Sequence, residues 1–192
     1  LPHNVRDVYL GNRVVYDNYP DRKFIITEYL PKCVGKTLGV GCHIYNKNDA
    51  KCLPTPSDYE TIDLTEKWKI YGSPYKHTTG DFMTYSPGYK FNHITLFGVL
   101  GIPFQSDGDD DIYTMYGGDK KVVEHVDQLL NVNGTVLFGP DISLDQSRLM
   151  KEKMEYWNNF FKNNEILKNK YELVKKFNTE INFVIVCKKL VL

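Results

Sequence analysis

The sequence has no excess of either charge, and this absence limits the partners we expect. It carries 24 lysine and arginine residues against 24 aspartate and glutamate residues, so its formal net charge at pH 7 is zero. A protein that holds nucleic acid through phosphate contacts needs a surplus of cations. We therefore expect no nucleic-acid partner, although charge alone does not exclude a nucleic-acid substrate.

A long apolar run and a signal-peptide pattern are also missing. A membrane-spanning helix needs about 20 predominantly apolar residues in succession, and a secretory signal has a recognisable order of basic, apolar and small residues. We expect no membrane segment. The first residue is leucine rather than methionine, and from this we expect a processed protein or one domain of a longer chain.

The sequence has few cysteines, and their spacing matches no common cysteine motif. The four cysteines are Cys33, Cys42, Cys52 and Cys187, and no two of them form a C-x-x-C pair. The cysteines also lack the density of a disulfide framework. Buried free thiols in a reducing compartment are the favoured interpretation, and we therefore expect a cytoplasmic location.

One stretch of the chain has the features of a ligand-binding strand end. The segment Lys36–His43 is a short apolar strand candidate that breaks into glycine at its carboxyl end. Ligands of open α/β sheets bind at the carboxyl ends of strands, where backbone N–H groups can face an anion or a polar cofactor. A side chain at Gly39 or Gly41 would obstruct a molecule that approaches the backbone. This stretch predicts the ligand edge of a sheet.

Strand and helix patterns alternate after this stretch. Further strand candidates are Tyr59–Leu64, Lys76–Phe82, Asn92–Gly98 and Thr135–Phe138. Apolar residues recur at helical spacing after Asp119, through Leu130, and again from about Leu144 to Asn163. The segments Tyr171–Asn178 and Asn182–Lys189 resemble a hairpin. The order predicts an α/β fold, a three-layer sandwich with a mostly parallel sheet and a C-terminal antiparallel hairpin.

Three segments have weaker signals. Residues 1–35 are predicted to form an N-terminal extension that packs on a domain at 36–192, and within it Lys23–Leu30 could begin as a strand. The segment Val99–Gly118 is predicted to be a long loop, and loops of this length are usually functional or disordered. Asn133-Gly134-Thr135 matches a glycosylation acceptor but precedes a strand, and we interpret it as a turn.

The motifs together resemble those of the class I S-adenosylmethionine-dependent methyltransferases, from about Lys36 to Lys189. Leu38–His43 is similar to the first motif of that superfamily, and Asp63 takes the position of the acid that contacts the ribose. Gly80-Asp81-Phe82 resembles the adenine-contacting segment, and Leu129–Leu137 resembles the passage from helix to the fifth strand.

The resemblance implies S-adenosylmethionine as the cofactor. The residues it implies in the cofactor site are Gly39, Gly41, Cys42, His43, Asp63, Leu64, Gly80, Asp81, Phe82, Phe97 and Gly98. Two departures stand out. The acid usual in the first strand is Gly39 here, and His43 and Tyr45 replace later motif glycines.

Several residues have a structural alternative. Asp63 could cap the next turn instead of binding ribose, and Asp81 could form an Asx turn. His43 could act as a base or fill the space of the missing glycine. His125 is predicted to be structural, because it lies mid-helix beside valines.

The acidic run 107–111 has three interpretations. It is a solvated loop, a divalent-metal site, or a source of the catalytic base. The candidate catalytic residues are Asp107, Asp109, Asp141 and His43, and the candidate metal ligands are Asp107, Asp109 and Asp111.

The leading hypothesis is methyl transfer from S-adenosylmethionine to the hydroxyl of a small molecule or carbohydrate, with glycan O-methylation as the best guess and a longer glycan-processing protein as its setting. Two alternatives remain open. One is a methyltransferase-like interaction domain that has lost catalysis, and the other is a nucleotide-sugar or dinucleotide enzyme with a Rossmann-type site.

Overall fold

The computed structural model describes residues 24–41, 54–55, 58–64, 75–97, 119–139, 147–178 and 183–192. Within these ranges the chain forms a sheet of seven strands. The strands are β1 (Thr37–Val40), β2 (Tyr59–Asp63), β3 (Lys76–Thr79), β4 (Phe91–Phe97), β5 (Leu130–Gly139), β6 (Tyr171–Asn178) and β7 (Phe183–Lys189).

The strand order in the sheet is β3-β2-β1-β4-β5-β7-β6. The first five strands run parallel, and β7 pairs antiparallel with both β5 and β6. All four residues of β1 are buried, as expected for a central parallel strand covered on both faces. The predicted mostly parallel sheet with a C-terminal hairpin is confirmed.

Three helices of the described ranges cover one face of the sheet. They are α1 (Asp119–Leu129), α2 (Ser147–Asn163) and α3 (Glu165–Lys170). Val122 and Val126 of α1 and Trp157 of α2 are buried against the sheet, so the helical spacing seen in the sequence does mark the core-facing side. The strand residues of this core include Leu38, Val40, Ile62, Ile94, Leu96, Val136 and Phe138.

The opposite face is covered by a helical segment where the sequence had suggested a strand. Ile25–Tyr29 forms a π-helical turn and Leu30–Lys32 a 3-10 turn, so the predicted strand at Lys23–Leu30 is wrong. Ile25, Tyr29 and Leu30 recur at helical spacing and are buried against β5 and β7, and this burial selects the helix. The segment supplies the third layer of the sandwich, while the predicted boundary between residues 35 and 36 stays a prediction.

Polar contacts fix this segment on the sheet. The Tyr29 hydroxyl bonds to Thr135 Oγ1 at 2.9 Å, and His93 Nδ1 lies 2.7 Å from the same oxygen. The Val34 N–H donates to His93 Nε2 at 3.3 Å, so the ring proton lies on Nδ1 and is donated to Thr135. Burial raises the pKa of Tyr29 and lowers that of His93.

The start of β5 differs from the prediction. The strand begins at Leu130 rather than Thr135, although Asn133 has a φ of 66°, which is typical of a turn. A Cβ at Gly134 would lie 2.7 Å from the Asn92 carbonyl oxygen, so a glycine is needed where the chain passes close to β4. The turn therefore lies within an irregular strand.

A buried lysine ties α1 to the last strands. Lys189 Nζ lies 2.9 Å from Asp127 Oδ1 and donates to the Asp127 carbonyl oxygen at 2.7 Å. Lys170 Nζ and the Tyr171 hydroxyl each donate to the same carboxylate at 2.9 Å. Burial alone would raise the pKa of Asp127, but these three donors outweigh it and lower the pKa.

Two further elements, the end of β3 and the helix α3, differ from the prediction. β3 ends at Thr79 and a 3-10 turn follows at Phe82–Thr84. The short helix α3 was not predicted, and it begins where the Asn164 side chain accepts hydrogen bonds from Ile166 and Leu167, as an N-cap does.

Some predictions lie outside the described residues. They concern Val5–Leu10, predicted as a turn of helix or a strand, and Asn46–Leu53, predicted as at most a short helix. They also concern the predicted loop Val99–Gly118 and a tight turn predicted at Thr179-Glu180. In the described part of the chain, no helix combines the length and the apolar character that crossing a membrane requires. Cys33 and Cys187 are buried free thiols.

Candidate cofactor site

The ends of the first four strands lie in register at one edge of the sheet. Val40, the last residue of β1, lies beside Ile62 of β2 and Leu96 of β4, and Asp63 lies beside Thr79. Because these strands are parallel, their carboxyl ends form a common edge, where ligands of such sheets bind. The predicted cofactor residues at this edge are Gly41, Asp63, Leu64, Gly80 and Asp81.

Gly41 forms the turn that ends β1. Its φ is 68°, a conformation that residues with a side chain rarely adopt. Its N–H donates to the Ile62 carbonyl oxygen at 3.0 Å, so the turn is tied to the neighbouring strand. The backbone conformation thus gives a physical reason for glycine at this position.

Gly39 is explained differently. A Cβ at Gly39 would lie 2.5 Å from the Tyr59 hydroxyl oxygen and 3.4 Å from Thr61 Cγ2. The space beside this glycine is therefore filled by protein atoms. Packing against Tyr59 requires the glycine, and the part of Gly39 in the cofactor site stays a prediction.

Asp63 is the last residue of β2 and lies one strand away from the Gly41 turn. It is half-buried, and its carbonyl oxygen accepts a hydrogen bond from the Gly80 N–H at 2.8 Å. The next residue, Leu64, is 39% exposed. A carboxylate at this place can accept two hydrogen bonds from vicinal hydroxyls, so the position suits the predicted ribose contact.

Asp81 forms the Asx turn that was one of its two interpretations. Its Oδ1 accepts from the Met83 N–H at 2.9 Å and so caps the turn Phe82–Thr84. Phe82 is buried, and the His125 ring packs edge to face on it at 4.8 Å between centroids. The Asp81 carboxylate therefore has a structural role, and its adenine contact stays a prediction.

Seven predicted site residues lie outside the described part of the chain. They are Cys42, His43, Gly98, Asp107, Asp109, Asp111 and Asp141. Phe97 ends β4, and only its backbone is described. Among the described residues no cluster of three or more His, Cys, Asp or Glu side chains could hold a metal ion, and the predicted metal ligands are not among them.

A buried carboxylate that the sequence analysis did not single out lies near the amino end of β2. Glu60 accepts hydrogen bonds from the hydroxyls of Tyr85 and Tyr89, the latter at 2.7 Å. Lys76 Nζ lies 3.8 Å from Glu60 and donates to the Tyr89 hydroxyl at 3.0 Å. Burial and the bond to Glu60 hold the pKa of Tyr85 far above its usual range. This network joins β2 to β3 and lies away from the ligand edge. In the sequence, only the spacing of four residues between Tyr85 and Tyr89 indicates it.

No family model matches the sequence, and no curated protein matches it by sequence. Solved structures with a similar fold include the N-methyltransferase NodS of Bradyrhizobium japonicum WM9 in complex with S-adenosyl-L-homocysteine. It is 14% identical, the match covers 96% of this chain and 95% of that one, and the TM-score is 0.57. Another is the 16S rRNA methyltransferase RmtF, also in complex with S-adenosyl-L-homocysteine, which is 11% identical over 88% of this chain and 61% of that one, with a TM-score of 0.57.

The likeness extends over nearly the whole chain. At this level of identity it shows the fold and nothing finer. The chain has the fold of the class I methyltransferases, as its motifs predicted.

Proposed function

We propose that this protein binds S-adenosylmethionine at the carboxyl edge of its sheet and transfers the methyl group to a hydroxyl of a small molecule or carbohydrate. The observation that carries the proposal is the neighbouring placement of the Gly41 turn and Asp63 at that edge. Support comes from proteins of similar fold whose structures hold S-adenosyl-L-homocysteine.

In this proposal, different described residues contact different parts of the cofactor. The turn at Gly41 lets the cofactor approach the backbone, and Asp63 accepts the ribose hydroxyls. Gly80 and Asp81 lie beside the adenine. Since one Asp81 oxygen is already bonded to Met83, adenine recognition rests on the turn as a whole rather than on a free carboxylate.

Methyl transfer from a sulfonium is an in-line displacement, so its main requirements are positioning and exclusion of water. A hydroxyl acceptor is a poor nucleophile at neutral pH and needs a base. The proposed candidates are Asp107, Asp109, Asp141 and His43. The alternative use of the acidic run is a divalent metal bound by Asp107, Asp109 and Asp111.

The acceptor class is supported by the absence of net charge, which suits a neutral acceptor better than a phosphate backbone.

Burial raises the pKa of Cys33 and Cys187 to about 12 each, so both remain thiols. Unreactive free thiols support the proposed cytoplasmic location. One domain of a longer glycan-processing protein is the proposed setting.

A second candidate is a methyltransferase-like domain that no longer catalyses and serves as an interaction module. The observation that favours it is the altered first motif, in which Gly39 packs on Tyr59 while His43 and Tyr45 stand where glycines are usual.

A transfer assay separates these functions. The protein is incubated with methyl-labelled S-adenosylmethionine and three acceptor pools, which are oligosaccharides, small hydroxyl compounds and ribosomal RNA. Label in either hydroxyl pool is the expected result. Label in RNA alone would overturn the acceptor class, and binding of S-adenosylhomocysteine without any transfer would favour the inactive domain.

The acidic run is tested by replacing Asp107, Asp109, Asp110 and Asp111 with asparagine. Turnover should fall strongly while affinity for S-adenosylhomocysteine stays nearly intact, because the proposed cofactor residues lie on other strands. Loss of wild-type activity with a chelator, restored by Mg²⁺ or Mn²⁺, indicates a metal; indifference to the chelator indicates a base. Full turnover in the asparagine variant would show that the loop takes no part.

A further inference from the structure

Tyr59 reaches from the second strand of the sheet into the space beside the first. It is the first residue of β2 and only 2% exposed. Its hydroxyl oxygen lies 2.5 Å, and its Cζ 3.3 Å, from the position that a Cβ on Gly39 would occupy. The ring also packs edge to face on Tyr75, with 5.6 Å between centroids. The phenol therefore fills a volume that a side chain on β1 would otherwise take.

This contact lies two residues before the proposed cofactor edge, measured along β1 and β2. In the register of the sheet Tyr59 pairs with Thr37, whereas Gly39 pairs with Thr61. The Tyr59 ring thus extends two residues beyond its own Cα, toward the carboxyl end of the strands. Gly39 precedes the Gly41 turn by two residues, and Thr61 precedes Asp63 by two.

We infer that Tyr59 is a positioning residue of the cofactor site, which holds the Gly41 turn at its distance from Asp63. The inference rests on the proposed function, because it assigns cofactor binding to those two residues. The acid expected at position 39 from the first motif is absent, and a neutral phenol from the neighbouring strand fills the adjacent space instead. Gly39 and Tyr59 form a matched pair, in which a larger residue at one position requires a smaller one at the other.

Four variants test the pairing. They are Gly39→Ala, Tyr59→Phe, the double variant that combines both, and a control double variant of Gly39→Ala with Tyr29→Phe. The control removes another buried tyrosine hydroxyl on the same face, which bonds to Thr135 rather than facing Gly39. Each protein is measured for its melting temperature without ligand and for its dissociation constant with S-adenosylhomocysteine.

Gly39→Ala should lower the melting temperature by roughly 5 °C, since its Cβ collides with the Tyr59 hydroxyl. It should also weaken S-adenosylhomocysteine binding by about tenfold or more in the folded protein, because the turn is displaced. Tyr59→Phe alone should weaken S-adenosylhomocysteine binding by about threefold, because the hydroxyl that fills the space beside Gly39 is lost. In the double variant the colliding oxygen is gone, so melting temperature and affinity should both return most of the way, and the Tyr29→Phe control should restore neither.

Three results overturn the inference. The first is a folded Gly39→Ala variant that melts lower but binds S-adenosylhomocysteine as the wild type does, because the contact is then only structural. The second is a double variant of Gly39→Ala with Tyr59→Phe that binds S-adenosylhomocysteine no better than Gly39→Ala alone. The third is equal rescue by the Tyr29→Phe control. Should Gly39→Ala not fold, the double variant decides, since the pairing requires it to fold and to bind. A wild-type protein that binds no S-adenosylhomocysteine overturns the proposed function itself, and the melting temperatures then report the contact separately.

Discussion

The Gly41 N–H donates a hydrogen bond to the Ile62 carbonyl oxygen at 3.0 Å, and this bond joins the turn after β1 to the strand that ends at Asp63. The two proposed cofactor-binding features are therefore connected through backbone rather than through flexible side chains. A site held in this way is preorganised, because little conformational freedom is lost when a ligand binds. The connection makes the Gly41 turn a sensitive place to perturb.

Gly41→Ala should abolish most S-adenosylhomocysteine binding while the protein still melts cooperatively. The positive φ makes alanine costly here, by about 1–2 kcal/mol, and the added Cβ obstructs the approach of the ligand. Gly88→Ala is the matched control, because Gly88 also has a positive φ of 81° and open space around a built Cβ. Calorimetric titration should show lost affinity only for Gly41→Ala; equal affinity in both variants would contradict the role of the turn.

The Asx turn that the Asp81 side chain forms with Met83 should contribute to stability. Asp81→Asn keeps an acceptor for the Met83 N–H, so urea denaturation should show almost unchanged stability. Asp81→Ala removes the acceptor and should lower the free energy of unfolding by about 0.5–1 kcal/mol. If Asp81→Asn proves as unstable as the alanine variant, the Asx turn is not what the carboxylate supports.

The buried Lys189 predicts a large and local effect on stability. Lys189→Met should lower the free energy of unfolding by about 2–4 kcal/mol, because the Asp127 carboxylate and the backbone carbonyls of Asp127 and Leu130 lose their buried donor. Lys188→Met is the control, since Lys188 pairs with Glu172 at 3.9 Å on the surface and should change stability by less than about 1 kcal/mol. Urea denaturation measures both variants, and similar values for the two would show that the buried network contributes little.

The histidine that holds the Val34 N–H predicts a dependence of stability on pH. Burial lowers the pKa of His93, so the unfolded chain binds a proton more readily than the folded one. The stability contributed by the neutral ring is present above the ordinary histidine pKa of about 6.5 and is lost as the pH falls below it. Urea denaturation at pH 7.5 and pH 5.5 should show a lower free energy of unfolding at the lower pH.

His93→Gln should flatten that dependence, because it removes the titrating ring. Burial raises the pKa of Asp119, so this carboxyl acts in the opposite direction; it is present in both proteins, and the comparison with His93→Gln therefore isolates the histidine. An unaltered pH dependence in His93→Gln would assign the effect to other groups.

The sequence predicted the elements whose burial follows a single period. The valines of α1 face one core, and each parallel strand ends at or directly before a glycine or an acid. The segment 24–32 was misjudged because adjacent apolar pairs at 25–26 and 29–30 fit a strand as well as a helix. Only the sheet face that receives Ile25 and Tyr29 decides between them.

The candidate site was predictable in outline because its residues follow strand ends, and strand ends are visible in the sequence. The reason for Gly39 was not predictable, since Tyr59 lies 20 positions away and only the register of β1 and β2 brings its hydroxyl there. The structural role of Asp81 depended on a local bond to Met83, which the sequence allowed but did not require.

The most direct test of the central claim is a calorimetric titration of S-adenosylhomocysteine into the wild-type protein, Asp63→Ala and Asp58→Ala. Asp58 directly precedes the amino end of β2 and accepts a hydrogen bond from the Thr55 hydroxyl at 2.7 Å, so it controls for the loss of an acid next to the same strand. The wild type and Asp58→Ala should bind alike, and Asp63→Ala should bind about tenfold more weakly or worse, as expected for lost charge-assisted hydrogen bonds of about 1.5–3 kcal/mol. No binding by the wild type, or equal binding by Asp63→Ala, would contradict a cofactor site at this edge.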